Sequence, residues 1–155
     1  MNIDEEIKAI IQHDENNIKG FFYEYRFLSN MELCYINYNG IIYNSSENAY
    51  QAQKTFDLKE RLIISKLKPN KSKIYCKKFN ERLDWNIIKK DIMNEILILK
   101  FNNIRLKLQL LATGNKYLEE TNYWKDSYFG VYNNVGLNVL GEILMDIRKK
   151  LNNGK

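Results

Sequence analysis

The spacing of apolar residues predicts a chain that begins with a helix and a hairpin and then becomes mostly helical. Isoleucines recur at helical spacing behind Asp4, an acceptable N-cap, which predicts a peripheral first helix over residues 4–12. Aromatic and alternating residues follow from position 21 to position 28. Apolar runs then flank Asn39-Gly40, and this dipeptide predicts a β-hairpin because both central residues of a type I′ turn need positive φ.

From residue 45 onward the pattern is mostly helical. Ser45 and Ser46 are candidate N-caps of a helix that runs to about Phe56, and Asp57 opens a capping-box-like start for the next helix. A long amphipathic helix is predicted after Asp84, where apolar residues recur at helical spacing. Three more helices are predicted at about residues 70–79, at 104–113 before Gly114 as the left-handed C′ residue, and at 138–151.

The stretch over residues 117–133 is rich in aromatic residues and lacks a helical period, which favours a short strand and an ordered loop. No repeat, low-complexity tract or linker divides the chain. The pattern therefore predicts one α+β domain over residues 1–155, predominantly helical with a small antiparallel sheet or hairpin. Its core is expected at about 20–151, with residues 1–19 as a peripheral N-terminal helix.

Composition and charge narrow the class of protein. The net charge of +5 favours polyanionic partners, but the lysines are spread along the chain, so a solvated lysine-rich surface is a better interpretation than a nucleic-acid site. The first residues are acidic where a secretory signal is basic, and the longest purely aliphatic run is Ile96–Leu99. Cys34 and Cys76 stand alone and are expected to be reduced, buried thiols. These features predict a cytoplasmic protein without a membrane partner.

The residues that the sequence lacks exclude several catalytic classes. His13 is the sole histidine, so a histidine-rich metal site cannot be built, and a serine or cysteine triad would have to use a residue of the first helix. Neither of the two glycine-rich phosphate-binding fingerprints is present. The chemistry is therefore expected to rely on carboxylates, lysine, amides and aromatic rings, with no metal and no cofactor.

Four residues of the helix predicted from Ser46 are spaced to share one face, namely Glu47, Tyr50, Gln51 and Lys54. The carboxylate and the amine lie two turns apart, about 10.5 Å along the axis, which suits the walls of a nucleotide-sized groove better than a salt bridge. Glu47 falls in the first turn, where free N–H groups and the helix dipole favour an anion. On pattern alone, however, an ordinary solvated helix face is the better interpretation.

A series of stretches along the chain carries a family resemblance. They are Phe27–Asn30, Asn39–Tyr43, Ser46–Lys54, Asp84-Trp85 with Lys89, Met93 and Lys100-Phe101 behind it, Leu110–Gly114, Asp126–Gly130, Gly136–Gly141 and Met145–Arg148. In order and spacing, over about residues 22–151, the series resembles the NADAR family of N-glycosidases, named for predicted links to NAD and ADP-ribose metabolism. The resemblance implies a compact, mostly helical α+β fold.

The resemblance also implies hydrolysis of N-glycosidic bonds to ribose. Activities of the family include cleavage of phosphorylated riboflavin-pathway intermediates and removal of ADP-ribose from modified guanine. Glu47 and Lys54 match the family's acidic and lysine positions, and Asp126 is the candidate second carboxylate. Three departures are visible: Asn48 replaces a histidine, Phe129 replaces the usual tryptophan, and the family's Gly-Arg pair has only Lys77, Lys78 and Arg82 nearby.

These residue types suit cleavage of a ribose N-glycoside. The reaction passes through an oxocarbenium-like state, which a carboxylate stabilises while it activates or positions water. Glu47 is the candidate for that role. Lys54 is expected to bind phosphate, to orient the ribose, or to attack an opened sugar aldehyde as an amine, and the sequence does not rank these roles.

Aromatic and polar residues complete the predicted binding site. Four aromatic side chains are candidates for stacking on a base: Phe27, Trp85, Trp124 and Phe129. Trp85 lies on an apolar stripe and fits core packing better, whereas Trp124 lies in a polar loop and fits stacking better. The other candidates are Ser29, Asn30, Gln51, Lys89, Gly130 and Asn138, of which the two asparagines fit turn or N-cap roles equally well.

The expected partner is a nucleotide-like small molecule, either ADP-ribose or a phosphorylated riboside, and ADP-ribosylated nucleic acid is a further candidate. Two other classes stay open. One is a non-enzymatic ADP-ribose or nucleotide-binding module, since residues 48 and 129 depart from the family pattern. The other is a structural or nucleic-acid-interacting protein that uses its basic surface.

Overall fold

A computed structural model describes residues 2–154 of the chain. The helices are α1 (Ile3–Ile10), α2 (Ser46–Ala52), α3 (Leu58–Lys66), α4 (Pro69–Cys76), α5 (Trp85–Lys100), α6 (Ile104–Ala112) and α7 (Val139–Asn153), with a 3₁₀ helix at Tyr23–Leu28. The strands are β1 (Gln12–His13), β2 (Asn17–Lys19), β3 (Ile36–Tyr38), β4 (Ile41–Tyr43) and β5 (Tyr117–Glu119). Across the described residues, no helix is both long enough and apolar enough to cross a bilayer.

The chain forms two compact units. The central unit comprises residues 30–104, and the terminal unit comprises residues 1–29 together with 105–155. The prediction of one domain over the whole chain stays a prediction.

The central unit is built around α2. This helix contacts α3, α4 and α5 as well as β3 and β4, and all seven of its residues are buried. The hairpin of β3 and β4 has the predicted turn, with φ of 53° at Asn39 and 87° at Gly40. A helix that is covered on every side cannot have a solvated face, so the interpretation favoured by the pattern alone is wrong for residues 46–52.

Helix α2 starts where the sequence predicts but ends earlier. Ser45 is its N-cap and accepts a hydrogen bond from the backbone N–H of Asn48 at 3.1 Å. The predicted end at about Phe56 is wrong, because the chain tightens into a turn after Ala52. The Gln53 side chain donates to the Ala49 carbonyl at 2.9 Å, which is the acceptor that a continuing helix would offer to the Gln53 backbone.

A buried amide joins α2 to the end of α3. Nδ2 of Asn48 donates to the carbonyl oxygens of Ile64 and Leu67 at 2.7 and 2.8 Å, and its Oδ1 accepts from the Ser45 hydroxyl at 2.6 Å. The Ile64 carbonyl also accepts from the Leu67 backbone N–H at 3.2 Å, and the Leu67 carbonyl also accepts from the Asn44 side chain at 3.3 Å, so this amide gives each oxygen a second and shorter hydrogen bond. Asn48 is therefore a structural link at the centre of the unit.

The terminal unit contains a three-stranded sheet with the order β1-β2-β5. Strands β1 and β2 are antiparallel, whereas β2 and β5 are parallel, with Ile18 opposite Leu118 and both side chains fully buried. The predicted small antiparallel sheet or hairpin corresponds to β3 and β4, and the parallel pair of β2 and β5 is an addition that the sequence did not predict. Residues 1–19 are also more than a peripheral helix, because they supply the middle strand of the sheet.

Most helix ends agree with the local signals that predicted them. Asp57 caps α3 through a hydrogen bond to the backbone N–H of Lys59, α5 begins directly after Asp84, and Gly114 follows α6 with φ of 64°. The N-cap of α1 is Asn2 instead of Asp4, because Asn2 forms a reciprocal capping box with the glutamate three residues later.

The two cysteines differ in their burial. Cys76 is buried and free of a disulfide, as predicted. Cys34 also forms no disulfide with a described residue, but it is only half-buried, because it lies on the exposed approach to β3.

The link made by Asn48 can be tested by measuring stability. Asn48→Ala removes three side-chain hydrogen bonds and leaves the Ile64 and Leu67 carbonyls with one longer bond each, so we expect the free energy of unfolding to fall by about 2–4 kcal/mol. The measurement is urea denaturation followed by circular dichroism. Asn86→Ala, on an exposed position of α5, is the matched control and should change stability by less than about 0.5 kcal/mol. Equal effects of the two substitutions would contradict the structural role of Asn48.

Candidate active site

Glu47 lies in the first turn of α2, and its neighbour in space is Asn30. The Glu47 backbone N–H donates to the Asn30 carbonyl at 3.1 Å, and the Ser46 hydroxyl donates to Oδ1 of Asn30 at 2.8 Å. The Asn30 amide also points at the sulfur of Met93 on α5, at 3.6 Å. Glu47 itself is only 8% exposed. The start of α2 is therefore held in place by an asparagine sixteen residues earlier, and Asn30 acts as an anchor for the carboxylate's backbone.

Gln51 fixes the carboxylate from the next turn of the helix. Its Nε2 donates to Oε1 of Glu47 at 2.8 Å, as the i, i+4 spacing predicts. A carboxylate only accepts hydrogen bonds when ionised, so the amide must turn its nitrogen toward Glu47 and its oxygen away. That oxygen, Oε1 of Gln51, is buried and has no hydrogen-bond partner among the described residues.

A buried oxygen without a hydrogen-bond donor, such as Oε1 of Gln51, destabilises the protein when no ligand is bound. A buried polar atom without a partner costs about 1–3 kcal/mol of desolvation. A ligand or a water with an N–H or O–H donor would recover that cost. The orphaned oxygen next to Glu47 therefore provides a specific place for a donor group to bind.

Lys54 lies just past the end of α2, in the turn that replaces the predicted last turn of helix. Its Nζ is 3.5 Å from Oε2 of Glu81, and it lies 5.8 and 5.9 Å from the ring centroids of Tyr50 and Trp85. The backbone N–H of Arg82 donates to the Lys54 carbonyl at 3.2 Å, which ties this turn to the chain that enters α5. The Lys54 side chain is 19% exposed, so its ammonium group has limited access to solvent.

The aromatic pair below Lys54 is part of the core of the central unit. The rings of Tyr50 and Trp85 are 5.1 Å apart with an angle of 52° between their planes, and both residues are buried. Two ring faces near an ammonium group stabilise it through cation–π attraction. Trp85 therefore contacts the lysine while packing in the core, and Lys89 follows it by one turn on α5, at a half-buried position.

Both charged groups of the candidate site affect the pKa of one buried thiol. Burial raises the pKa of Cys76 to about 11, the Lys54 ammonium lowers it, and the Glu47 carboxylate raises it further. Both charges therefore act on the same sulfur atom on α4. Glu47 lies on α2 and Lys54 in the turn directly after it, and at 8% and 19% exposure neither side chain points into open solvent.

Arg82 is one of the three cations that lie in sequence near the place where the family has its Gly-Arg pair. Its guanidinium forms a two-pronged ion pair with Asp84, at 3.1 and 2.9 Å, and stacks over the Phe56 ring at 4.2 Å. A guanidinium held in this way is engaged by its own carboxylate. The neighbouring carboxylate, Glu81, pairs with Lys54. This pairing could not be predicted from the sequence, because 27 residues separate the two.

Asp126 organises a loop in the terminal unit. Its Oδ1 accepts hydrogen bonds from the backbone N–H groups of Tyr128 and Phe129, both at 3.0 Å. Its backbone is held by the Asn122 side chain, which accepts from the Asp126 N–H at 3.0 Å and donates to the Asp126 carbonyl at 2.8 Å. One oxygen of this carboxylate therefore stabilises the loop by accepting its backbone N–H groups.

Gly130 closes that loop by a close backbone approach. A Cβ atom at this position would lie 2.2 Å from the carbonyl oxygen of Glu120 and 2.5 Å from Nδ2 of Asn122. Only glycine fits such a space. Phe129, one residue earlier, packs edge-on against Tyr128 at 4.8 Å and is half-buried.

Trp124 lies in an aromatic cluster with Phe22 and Tyr123. The Trp124 ring meets Tyr123 edge-on at 5.0 Å and Phe22 edge-on at 6.2 Å, yet Trp124 stays 40% exposed. The cluster gives the indole a fixed orientation while one part of it remains open to a ligand. By contrast, Phe27 and Ser29 are buried, the first within the 3₁₀ helix and the second at its C-cap.

Asn138 has left-handed backbone geometry, with φ of 52°, and precedes α7 without capping it through its side chain. Its Oδ1 accepts from the Glu120 backbone N–H at 3.0 Å, and its Nδ2 donates to the Leu118 carbonyl and to the Tyr117 hydroxyl at 2.9 and 3.2 Å. The side chain thus joins β5 to the start of α7. The sequence offered a turn or N-cap role for Asn138, and this link to β5 was not part of that prediction.

Two carboxylates of the terminal unit were not among the sequence candidates. Glu119 and Glu120 are both buried, and Glu119 accepts a hydrogen bond from the Thr121 hydroxyl at 2.5 Å. Their burial depends on the parallel pairing of β5 with β2, which the local pattern did not reveal. Among residues 2–154, no group of three or more potential ligands from histidine, cysteine, aspartate and glutamate could hold a metal ion.

The fold therefore brings the sequence candidates together in two groups. Asn30, Glu47, Gln51, Lys54 and Trp85 share contacts within the central unit. In the terminal unit, Asp126 contacts Phe129 through its carboxylate, and Gly130 closes the same loop.

Comparison with known proteins shows the same architecture elsewhere. The solved NMR structure of the Escherichia coli protein YbiA superimposes with a TM-score of 0.78 at 28% identity, covering 96% of this chain and 92% of that one. The predicted α+β, mostly helical fold class is confirmed by this match.

Curated relatives give the same result. The riboflavin biosynthesis protein of Vibrio vulnificus is 36% identical over 84% of this chain, although the chain spans only 38% of that protein's length. The N-glycosidase of Nostoc punctiforme is 35% identical, covering 69% of this chain and 73% of the relative. N-glycosidase YbiA of Shigella sonnei is 30% identical, with 94% and 93% covered. The NADAR domain model matches residues 11–152, and the chain therefore belongs to the NADAR family.

Proposed function

We propose that this protein is an N-glycosidase that hydrolyses the bond between a base or amine and ribose, in a phosphorylated riboside or in an ADP-ribosylated substrate such as ADP-ribosyl-guanine. The observation that carries the proposal is the buried carboxylate of Glu47, which Gln51 orients at 2.8 Å, with Lys54 in the turn that follows the same helix. Relatives named as N-glycosidases support the reaction class.

The carboxylate suits the charge that develops on the sugar. As the N-glycosidic bond breaks, the ribose gains positive charge, and a fixed carboxylate stabilises that state and orients the attacking water. Preorganisation matters here because a carboxylate already aligned by Gln51 and by the backbone of α2 needs no reorganisation during the reaction. The orphaned Oε1 of Gln51 is suited to accept a hydrogen bond from a ribose hydroxyl or from that water.

Lys54 suits recognition of an anionic part of the substrate. Its Nζ is held at 3.5 Å from Glu81 and near two ring faces, so it is ordered before the ligand arrives. A phosphate would compete with Glu81 for the ammonium through charge-assisted hydrogen bonds. We assign Lys54 to phosphate binding and ribose orientation, with amine attack on an opened sugar aldehyde as the mechanistic alternative.

Similarity to a riboflavin biosynthesis protein favours a second substrate candidate. In that case the target is a riboflavin-pathway ribose-phosphate, and the same carboxylate performs the same cleavage. Incubation of the pure protein with ADP-ribosyl-guanosine, NAD and aminopyrimidine ribose-phosphates, followed by chromatography of the released base, separates the candidates. Tight binding of ADP-ribose without any released product would support a non-enzymatic binding module instead.

Glu47→Gln tests the carboxylate directly. The amide can still accept the hydrogen bond from Gln51, so we expect an intact fold and a turnover number lowered by about 10²- to 10⁴-fold. Steady-state release of the base provides the measurement, with circular dichroism as the check on folding. Glu142→Gln, at an exposed position of α7, is the matched control and should keep full activity. Wild-type turnover in the Glu47 variant would remove the proposed mechanism.

Lys54→Met tests phosphate recognition. Loss of one charge-assisted contact should raise KM for a phosphorylated riboside by about 10- to 100-fold, with a much smaller effect on the dephosphorylated riboside. Lys54→Arg should retain part of the affinity, and Lys90→Met on the exposed side of α5 is the control. Borohydride should fail to fix substrate onto the wild-type protein. A stable adduct at Lys54 would instead establish the amine mechanism.

Trp124→Ala tests base stacking. The half-exposed indole should contribute about 1–3 kcal/mol to binding of the base, so its removal should weaken binding by about 5- to 150-fold, and Trp124→Phe should recover most of it. Isothermal titration with the Glu47→Gln protein measures binding without turnover. Tyr35→Ala removes a far more exposed ring of the central unit and serves as the control. Unchanged affinity in Trp124→Ala would exclude stacking of the base on this indole.

A further inference from the structure

A buried arginine on α7 lacks a charged partner. Arg148 is only 7% exposed, and its Nη1 donates to the hydroxyl oxygen of Thr113 at 2.8 Å. That hydroxyl in turn donates to the Leu110 carbonyl at 2.6 Å, so it is a neutral group that closes the end of α6. Among residues 2–154, no carboxylate forms an ion pair with the Arg148 guanidinium.

Arg148 is one of the residues that line a cavity within the terminal unit. The cavity has a volume of about 420 Å³ and is lined by Asn115, Met145, Arg148, Lys149, Asn152 and Asn153. None of these described lining residues is acidic, two are cationic, and three carry amides that can donate hydrogen bonds. A volume of this size falls within the range of small-ligand pockets.

The chemistry of this wall selects an anion. Buried charges in proteins are normally paired, because removing an ion from water costs far more than a neutral hydroxyl partner returns. Burial lowers the pKa of the Arg148 guanidinium, as expected for a cation without a compensating carboxylate, and an arginine still keeps its charge at neutral pH. The planar guanidinium has five N–H donors, of which the Thr113 contact uses one.

We propose that this cavity is a binding site for a phosphate group, carried either as the free ion or as a phosphomonoester on a larger molecule. Arg148 supplies a fork of donors that matches phosphate oxygens, Lys149 supplies a second positive charge at the mouth, and the asparagine amides supply neutral donors. The site uses no residue of the proposed glycosidase centre. A second phosphate-binding site would therefore allow a phosphorylated metabolite to bind while Glu47 and Lys54 hold the substrate.

The test is calorimetric titration of the full-length protein with inorganic phosphate at constant ionic strength, with chloride as the reference anion. Arg148→Gln and Lys149→Glu should each weaken phosphate binding at least about tenfold, since each removes a charge-assisted contact. Lys150→Met is the matched control, because Lys150 pairs with Asp146 at 2.9 Å and does not line the cavity. Lys149 is exposed, so its variant tests the site even if the Arg148 variant does not fold.

Two further arms identify the source of the phosphate and separate this site from the glycosidase centre. Tighter binding of ribose 5-phosphate than of inorganic phosphate would indicate a carried phosphomonoester, and equal binding would indicate the free ion. Because Lys54 is assigned to phosphate binding at the glycosidase centre, each titration is repeated in the Lys54→Met background, where inorganic phosphate should still bind the cavity. In that background, binding no stronger than that of chloride, or binding that survives both cavity variants, would overturn the proposal without affecting the glycosidase tests.

Discussion

The central unit depends on burying a helix that carries four polar or charged side chains. Ser46, Glu47, Asn48 and Gln51 all lie within α2, where every residue is buried. Burial of polar groups is tolerated only if they are hydrogen-bonded, and most of these groups meet that condition through Asn30, Ser45 and the end of α3. The exception is Oε1 of Gln51. The helix is thus rigid except where one acceptor remains available beside the carboxylate.

The same arrangement explains why a carboxylate is retained at low exposure. A buried anion needs nearby donors or cations, and here they are an amide one turn away and the positive end of the helix dipole, with Lys54 in the turn after the same helix. Each of these groups would also act on a substrate. A site in which positive and negative groups are ordered before binding suits a reaction whose transition state separates charge between sugar and leaving group.

Local chemistry predicted the parts of the fold that depend on one or a few neighbouring residues. The Asn39-Gly40 turn, the Asp57 cap and the contact between Glu47 and Gln51 follow from backbone preference or helical period. Strand β2 gave no such signal, because it pairs in parallel with β5, about 100 residues further along the chain. For the same reason the sequence identified Lys54 as a candidate but not its partner Glu81, and it could not show that α2 is buried.

The replacement of the family's histidine by Asn48 does not remove the proposed chemistry. Asn48 donates to two carbonyl oxygens and accepts from one hydroxyl, whereas a neutral imidazole has one donor and one acceptor and could not form all three bonds. Consecutive helical residues point about 100° apart, so position 48 faces α3 while position 47 faces Gln51. In this chain the amide belongs to the scaffold, and the proposed mechanism assigns proton transfer to Glu47, Lys54 or water.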